Sequence, residues 1–160
     1  MSADDPAEQF GDSDVETDLT AGDPTGSVPA RGETPRVLIV EDEPVVRADI
    51  QLTLTDAGYC VAHAVGSLDD AMDRLRSDPG AVDFVLLDAQ LSGQSCLPLA
   101  NFLEASGVPH LIVSGHDELE IRAVGLKAPY LGKPFGELQL IAAMQRHLPL
   151  PSSADKSARR

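Results

Sequence analysis

The sequence predicts an α/β fold, a parallel sheet of five strands with helices on both faces, and two patterns carry that prediction. Short apolar runs of strand length alternate with segments whose apolar residues recur at helical spacing, as in a parallel sheet buried on both sides. Four of the runs also lead into residues able to do chemistry. Val37-Leu38-Ile39-Val40 runs into Glu41-Asp42-Glu43, Phe84-Val85-Leu86-Leu87 into Asp88, Leu111-Ile112-Val113 into Ser114, and Tyr130-Leu131 towards Lys133. The carboxyl ends of parallel strands share one edge, where ligands of open α/β folds bind. Carboxylates, a hydroxyl and an ammonium are therefore expected in one cleft.

The elements follow in order. After the first strand, Val46, Ile50, Leu54 and Ala57 recur on one helical face, with Pro44 at a tolerated starting position and Gly58 as the stop. The second strand is Cys60 to Val65, and Ser67 is the candidate N-cap of a helix presenting Leu68, Ala71, Met72 and Leu75, which stops at Asp78-Pro79-Gly80. The third strand ends at Asp88. Ser95 is then expected to cap a helix with Pro98 in its first turn, Leu99, Phe102 and Leu103 facing inward, and Gly107 at its end. The fourth strand, Pro109 to Val113, leads to a weak helix near Glu118 to Leu126, interrupted by Gly125, with Ile121 and Val124 as its main apolar contacts. A short fifth strand around Pro129 to Leu131 suits a sheet edge, since proline cannot donate to a ladder. The final helix, about Phe135 to Leu148, is expected to turn Leu138, Ile141, Met144 and Leu148 towards the sheet.

Composition narrows the function. At 160 residues and 42% hydrophobic, the chain can hold one ordinary domain with its own core. A formal charge of −14 argues against nucleic acid and against anionic membrane surfaces, because a polyanion is bound by displacing its counterions with Lys and Arg. No apolar run approaches the roughly 20 residues that span a bilayer, and no leader pattern opens the chain, so a soluble cytoplasmic protein is expected. Residues 1–35 hold nine acidic residues against one arginine, with few large apolar groups, and read as a disordered acidic tail, the alternative being a short partner-binding motif around Phe10 to Leu19. Residues 151–160 are polar and aperiodic and read as a flexible tail, which leaves residues 36–150 as the folded domain. Cys60 and Cys96 make neither a disulfide framework nor a zinc site, and read as reduced structural cysteines. His63, His110, His116 and His147 lack metal-ligand spacing.

Clustered carboxylates at a strand end attract a hard divalent cation, and a few acid ligands with open positions suit Mg²⁺, whose shell is normally completed by water and phosphate oxygens. A phosphoryl group is the natural guest, with Lys133 and Ser114 serving its remaining oxygens. Asp88 then stands where a nucleophile is needed, because a carboxylate can attack phosphorus to form an acyl phosphate.

At these residues the chain resembles the receiver domains of two-component response regulators, over about residues 36–150. The resemblance implies a flavodoxin-like doubly wound sheet of order 2-1-3-4-5, an order for which a chemotaxis receiver is the standing example. It also implies Asp88 as the phosphoacceptor and Asp42, Asp88 and the backbone carbonyl of Gln90 as ligands of Mg²⁺ or Mn²⁺, with Glu41 acting through water. Ser114, Tyr130 and Lys133 would be the switch and phosphoryl-binding residues, with Lys133-Pro134-Phe135 as the closing motif and Lys133-Pro134 cis. Gln90 and His116 would flank the water path and tune the lifetime of the phosphorylated state. Two departures stand out: Ser92 occupies a loop position where many receivers have proline, and Ser114 replaces the commoner threonine.

The expected function is that of a single-domain response regulator, a phosphoacceptor switch rather than an ordinary enzyme, which assists its own Mg²⁺-dependent phosphorylation and dephosphorylation. Its expected partners are a histidine kinase or histidine phosphotransfer protein and a downstream protein, with output by protein contact or phosphorelay and no nucleic acid or membrane. The competing reading is a receiver-shaped binding module that is never phosphorylated. Two enzyme readings fail locally. A haloacid-dehalogenase-type phosphatase needs a second acid where Gln90 stands, and an FMN site would be repelled by Glu41-Asp42-Glu43.

Overall fold

Strand β1 (Arg36–Val40) is sealed on both faces, with Val37, Leu38, Ile39 and Val40 each at most 1% exposed. The computed structural model to which this strand belongs describes residues 33–150. Most of the expected acidic tail, residues 1–32, and all of the expected C-terminal tail, residues 151–160, lie outside the described residues. From β1 the chain runs through α1 (Pro44–Ala57), β2 (Cys60–Val65), α2 (Leu68–Ser77) and β3 (Phe84–Asp88). A small hairpin, β4 (Gln90–Leu91) and β5 (Gln94–Ser95), precedes α3 (Leu97–Ser106), β6 (His110–Ser114), α4 (Glu118–Ala123), β7 (Tyr130–Gly132) and α5 (Glu137–His147).

The main sheet has the order β2-β1-β3-β6-β7, and every neighbouring pair is parallel. With the hairpin set aside, this is the predicted 2-1-3-4-5. Successive side chains of a strand alternate between faces. Val37, Ile39, Phe84, Leu86, Leu111 and Val113 pack with Ile50 and Leu54 of α1 and Leu140 and Met144 of α5. Their neighbours Leu38, Val40, Val85, Leu87 and Ile112 pack on the other face with Ala71 and Leu75 of α2 and Leu99 and Leu103 of α3. Each fully buried Leu or Ile contributes about 1.5–3 kcal/mol. Two such layers hold the strands in register and bring their carboxyl ends to one edge.

Local chemistry sets the helix ends. Pro44 lies at the start of α1, and Gly58, at φ +107°, turns its N–H back to the carbonyls of Leu54 and Thr55. Ser67 caps α2 by accepting from Asp70 N at 3.1 Å, as expected. Asp117 and Glu120 form a reciprocal capping box on α4. The Lys133–Pro134 peptide is cis, as the resemblance implied.

Several details differ from the sequence reading. Helix α5 begins at Glu137, after Gly136, and its buried stripe is Leu140, Met144 and Leu148, while Leu138 is 84% exposed and Ile141 only half-buried. Cys96 is the N-cap of α3, and Ser95 instead accepts from Leu97 N at 3.1 Å. Phe102 is half-buried with the Arg76 guanidinium over its ring. Helix α4 ends at Ala123, so Ile121 is buried but Val124 is exposed; Gly125 then takes φ +99°. Cys96 is fully buried, but Cys60 is exposed, so only one of the two is a core residue.

Candidate functional site

The four strand ends converge. Lys133, next after β7, donates from Nζ to Glu41 Oε2 at 2.8 Å and to Asp88 Oδ2 at 2.9 Å. Glu41, Asp42 and Asp88 each offer a carboxylate oxygen within 4.8 Å of the others. Residues 41, 42, 88 and 133 thus share one cleft, although 92 positions separate the first from the last of the bonded pair Glu41 and Lys133.

Backbone geometry holds each group. Glu41 is 1% exposed; its N–H donates to the Val65 carbonyl at 3.0 Å, and its own carbonyl accepts from Arg47 Nη1 at 2.7 Å. Its Oε1 accepts from Glu43 N at 3.2 Å. Asp88, the last residue of β3, has Oδ1 bonded to Gln90 N at 3.0 Å. Asp42 lies nearer solvent, and its Oδ2 accepts from Ser92 N at 2.7 Å and Ser92 Oγ at 3.3 Å. Five of the six carboxylate oxygens therefore receive a protein hydrogen bond, and Asp42 Oδ1 receives none from another described residue.

The electrostatics follow from this arrangement. Burial pushes the Glu41 carboxyl above its ordinary range, and the Lys133 ammonium and the Glu43 N–H only partly oppose it. The Ser92 N–H holds the Asp42 carboxyl below its usual range. Burial works against the Lys133 charge, but its bonds to Glu41 and Asp88 outweigh that and raise its pKa. Three carboxylates face one ammonium, an excess of two negative charges. That excess, the all-oxygen donor set and the unshared Asp42 Oδ1 fit a hard divalent cation of the Mg²⁺ type.

The remaining expected residues lie around this cluster with different attachments. Ser114 is 2% exposed, and its Oγ accepts from His116 N at 3.0 Å; its carbonyl accepts from Lys133 N at 2.7 Å. Tyr130 is half-buried and its hydroxyl donates to the His116 carbonyl. The His116 ring bonds to Glu120 Oε2 at 3.1 Å and to none of the cluster's three carboxylates, and Gln90 engages Asp88 through its N–H. Sequence reasoning missed three contributors: Arg47, which pins the Glu41 backbone, Glu120, which orients His116, and Ser92. The Ser92-Gly93 dipeptide is a turn signal that could have located the hairpin, though nothing local points to Asp42.

Comparison with known proteins gives one consistent picture. The model of the response regulator receiver domain matches residues 37–145. The alkaline phosphatase synthesis transcriptional regulatory protein SphR of Synechococcus elongatus is 36% identical over 126 residues, covering 71% of this chain and 49% of that protein. Response regulator MprA of Mycobacterium avium is 31% identical over 115 residues, covering 69% and 49%. The chain spans about half the length of these curated relatives. Among solved structures, a response regulator receiver protein from Sinorhizobium medicae superposes with a TM-score of 0.65 at 32% identity, covering 75% of this chain and 98% of that one. One from Burkholderia phymatum gives 0.63 at 27%, covering 75% and 99%.

Proposed function

Because the chain belongs to the response regulator receiver domain family of two-component systems, we propose that it is a phosphorylation switch whose phosphoacceptor is Asp88. The observation that carries this reading is the Lys133 ammonium bonded to both Glu41 and Asp88, with Asp42 alongside, at the carboxyl edge of the sheet. A module kept only for binding has no physical need to bury that combination.

In this reading Asp42, Asp88 and the Gln90 carbonyl hold Mg²⁺ or Mn²⁺, with Glu41 acting through water. The bound cation supplies neutralisation of the charge carried by the phosphoryl oxygens. An Asp88 oxygen bonds to phosphorus in line as the donor's P–N or P–O bond breaks, and the leaving group departs with that electron pair to leave an acyl phosphate. Lys133, already charged, transfers its hydrogen bonds to the phosphoryl oxygens. Ser114 Oγ accepts from His116 N, so its own proton remains available to a phosphoryl oxygen.

The switch reading draws on the same loop. Ser114 holds the N–H of His116 and Tyr130 holds the carbonyl, so a shift of the serine is passed to the aromatic through one residue. Moving such an equilibrium from 1:99 to 99:1 takes about 5.5 kcal/mol of differential affinity. Charge-assisted hydrogen bonds at about 1.5–3 kcal/mol each are of the right size. The donor in this reading is a histidine kinase or a histidine phosphotransfer protein, and output passes by protein contact or phosphorelay. Leu119 on α4 and Leu138 on α5, 82% and 84% exposed, suit a protein partner at the β6, β7 and α5 side.

The test is intact-mass measurement after incubation with Mg²⁺ and acetyl phosphate. A single base-labile phosphate is expected on the parent and none on Asp88→Asn, and removal of residues 1–35 leaves labelling intact. An unchanged parental mass with both acetyl phosphate and a phosphorylated histidine phosphotransfer protein favours the unphosphorylated binding module.

A further inference from the structure

Ser92 stands out as the one non-glycine among the described residues with positive φ, at +51°. It and Gly93, at +82°, form the two-residue turn between β4 and β5, the mirror-image type that suits a tight hairpin. A left-handed conformation costs an ordinary residue about 1–2 kcal/mol. Packing does not explain it, since Ser92 is exposed and a Cβ added at Gly93 would meet nothing within 4 Å. What the conformation achieves is polar: both donors of Ser92 reach Asp42 Oδ2, 50 residues away in sequence.

We propose that Ser92 is a positioning residue for the divalent cation, holding Asp42 Oδ2 through its N–H and hydroxyl so that Oδ1 is aimed at the cluster with Glu41 and Asp88. The inference deepens the metal reading above and rests on it. Oriented outer partners fix the direction of a ligating carboxylate, and their loss typically weakens metal binding 10- to 100-fold. The acceptor is telling. Ser92 engages the cluster's most exposed carboxylate, the one whose second oxygen receives no hydrogen bond from another described residue. The same turn follows directly on Asp88, so the hairpin ties the two acidic strand ends together, and the Cys96 N–H to Ala89 carbonyl bond at 3.0 Å anchors its base. Proline, common at this position in receivers, has no N–H and cannot adopt φ +51°.

Calorimetric titration of the full chain with MgCl₂, without phosphodonor, tests this. The parent is expected to bind one cation, and Ser92→Pro to bind it about 10- to 100-fold more weakly. Ser92→Gly keeps the N–H and the positive φ, and is expected to stay closer to the parent than to Ser92→Pro. A parent that binds no Mg²⁺ overturns the metal reading itself. Parental binding that folded Ser92→Pro retains in full overturns only the positioning role. Amide exchange of the parent keeps the inference testable should Ser92→Pro not fold. The Ser92 N–H is expected to be protected, to stay protected in saturating Mg²⁺, and to lose protection in Asp42→Ala. Release of that proton on adding Mg²⁺ would mean that the turn competes with the cation, and overturns the proposal.

Discussion

Replacing Lys133 with methionine keeps the length of the side chain and removes the charge that two buried carboxylates share. The lost bonds are 2.8 and 2.9 Å long, and their acceptors, Glu41 and Asp88, are 1% and 8% exposed. Removing one partner of a buried pair costs about 3–5 kcal/mol. The Lys133 side chain is 27% exposed, so water reaches the site when the ammonium is gone, and the expected loss is discounted to about 2–4 kcal/mol. The assay is urea denaturation in EDTA at pH 7.5, followed by circular dichroism. The sign of the pH dependence follows from the stranded charges. Burial already raises the Glu41 pKa, and without Lys133 the folded variant holds a proton more tightly than the unfolded chain does. Stability relative to the parent therefore falls as pH rises and is partly regained towards pH 5. Asp88→Asn in the same background removes one stranded charge and should restore about 1–3 kcal/mol. A single variant within 0.5 kcal/mol of the parent, or a deficit that grows on acidification, refutes the reasoning.

Three further outcomes test other parts of the structure. In the metal reading Mg²⁺ binds only the folded parent, so a concentration of 100 Kd should stabilise it by about 2.7 kcal/mol in urea titrations run without EDTA, and Asp42→Asn should abolish the gain. A Cβ at Gly132 would lie 2.9 Å from the Tyr130 hydroxyl, so Gly132→Ala should displace the ring and break its bond to His116. Tyr130→Phe should lose about 1 kcal/mol, and adding Gly132→Ala to it should cost less than in the parent, as a double-mutant cycle in urea will show. His110 is 6% exposed, with Nδ1 facing the Val108 carbonyl at 3.2 Å and Nε2 without a hydrogen bond among the described residues. Burial lowers its pKa from 6.5, so the unfolded chain takes the proton first and stability drops as pH falls below that value. The difference between parent and His110→Leu stability profiles should carry this component, with a slope no steeper than about 1.4 kcal/mol per pH unit.

The central strands were legible because burial on both faces leaves no polar positions, and continuous apolar runs such as Val37 to Val40 and Phe84 to Leu87 have few other interpretations. The positions of the acidic step, Asp88, Ser114 and Lys133 were legible for a related reason. Each lies at or just beyond a strand end, and parallel strands bring their ends to one edge whatever the loops do. Helix faces were read less well. The repeat in α5 was visible, but its rotation is set by packing on the sheet, which puts Leu140 rather than Leu138 in the core. In α4 the early stop exposed Val124 for a similar reason.

The sequence by itself determined the fold class, the order of the main strands and helices and the composition of the cleft, since these follow from local periodicity and from which residue ends which strand. Only the tertiary structure decided the partnerships: Ser92 with Asp42, Tyr130 with the His116 carbonyl, Lys133 shared between Glu41 and Asp88. Hydrogen bonds between loops depend on ångström-scale approach set by packing of the whole core, and no pattern local to one segment encodes that distance.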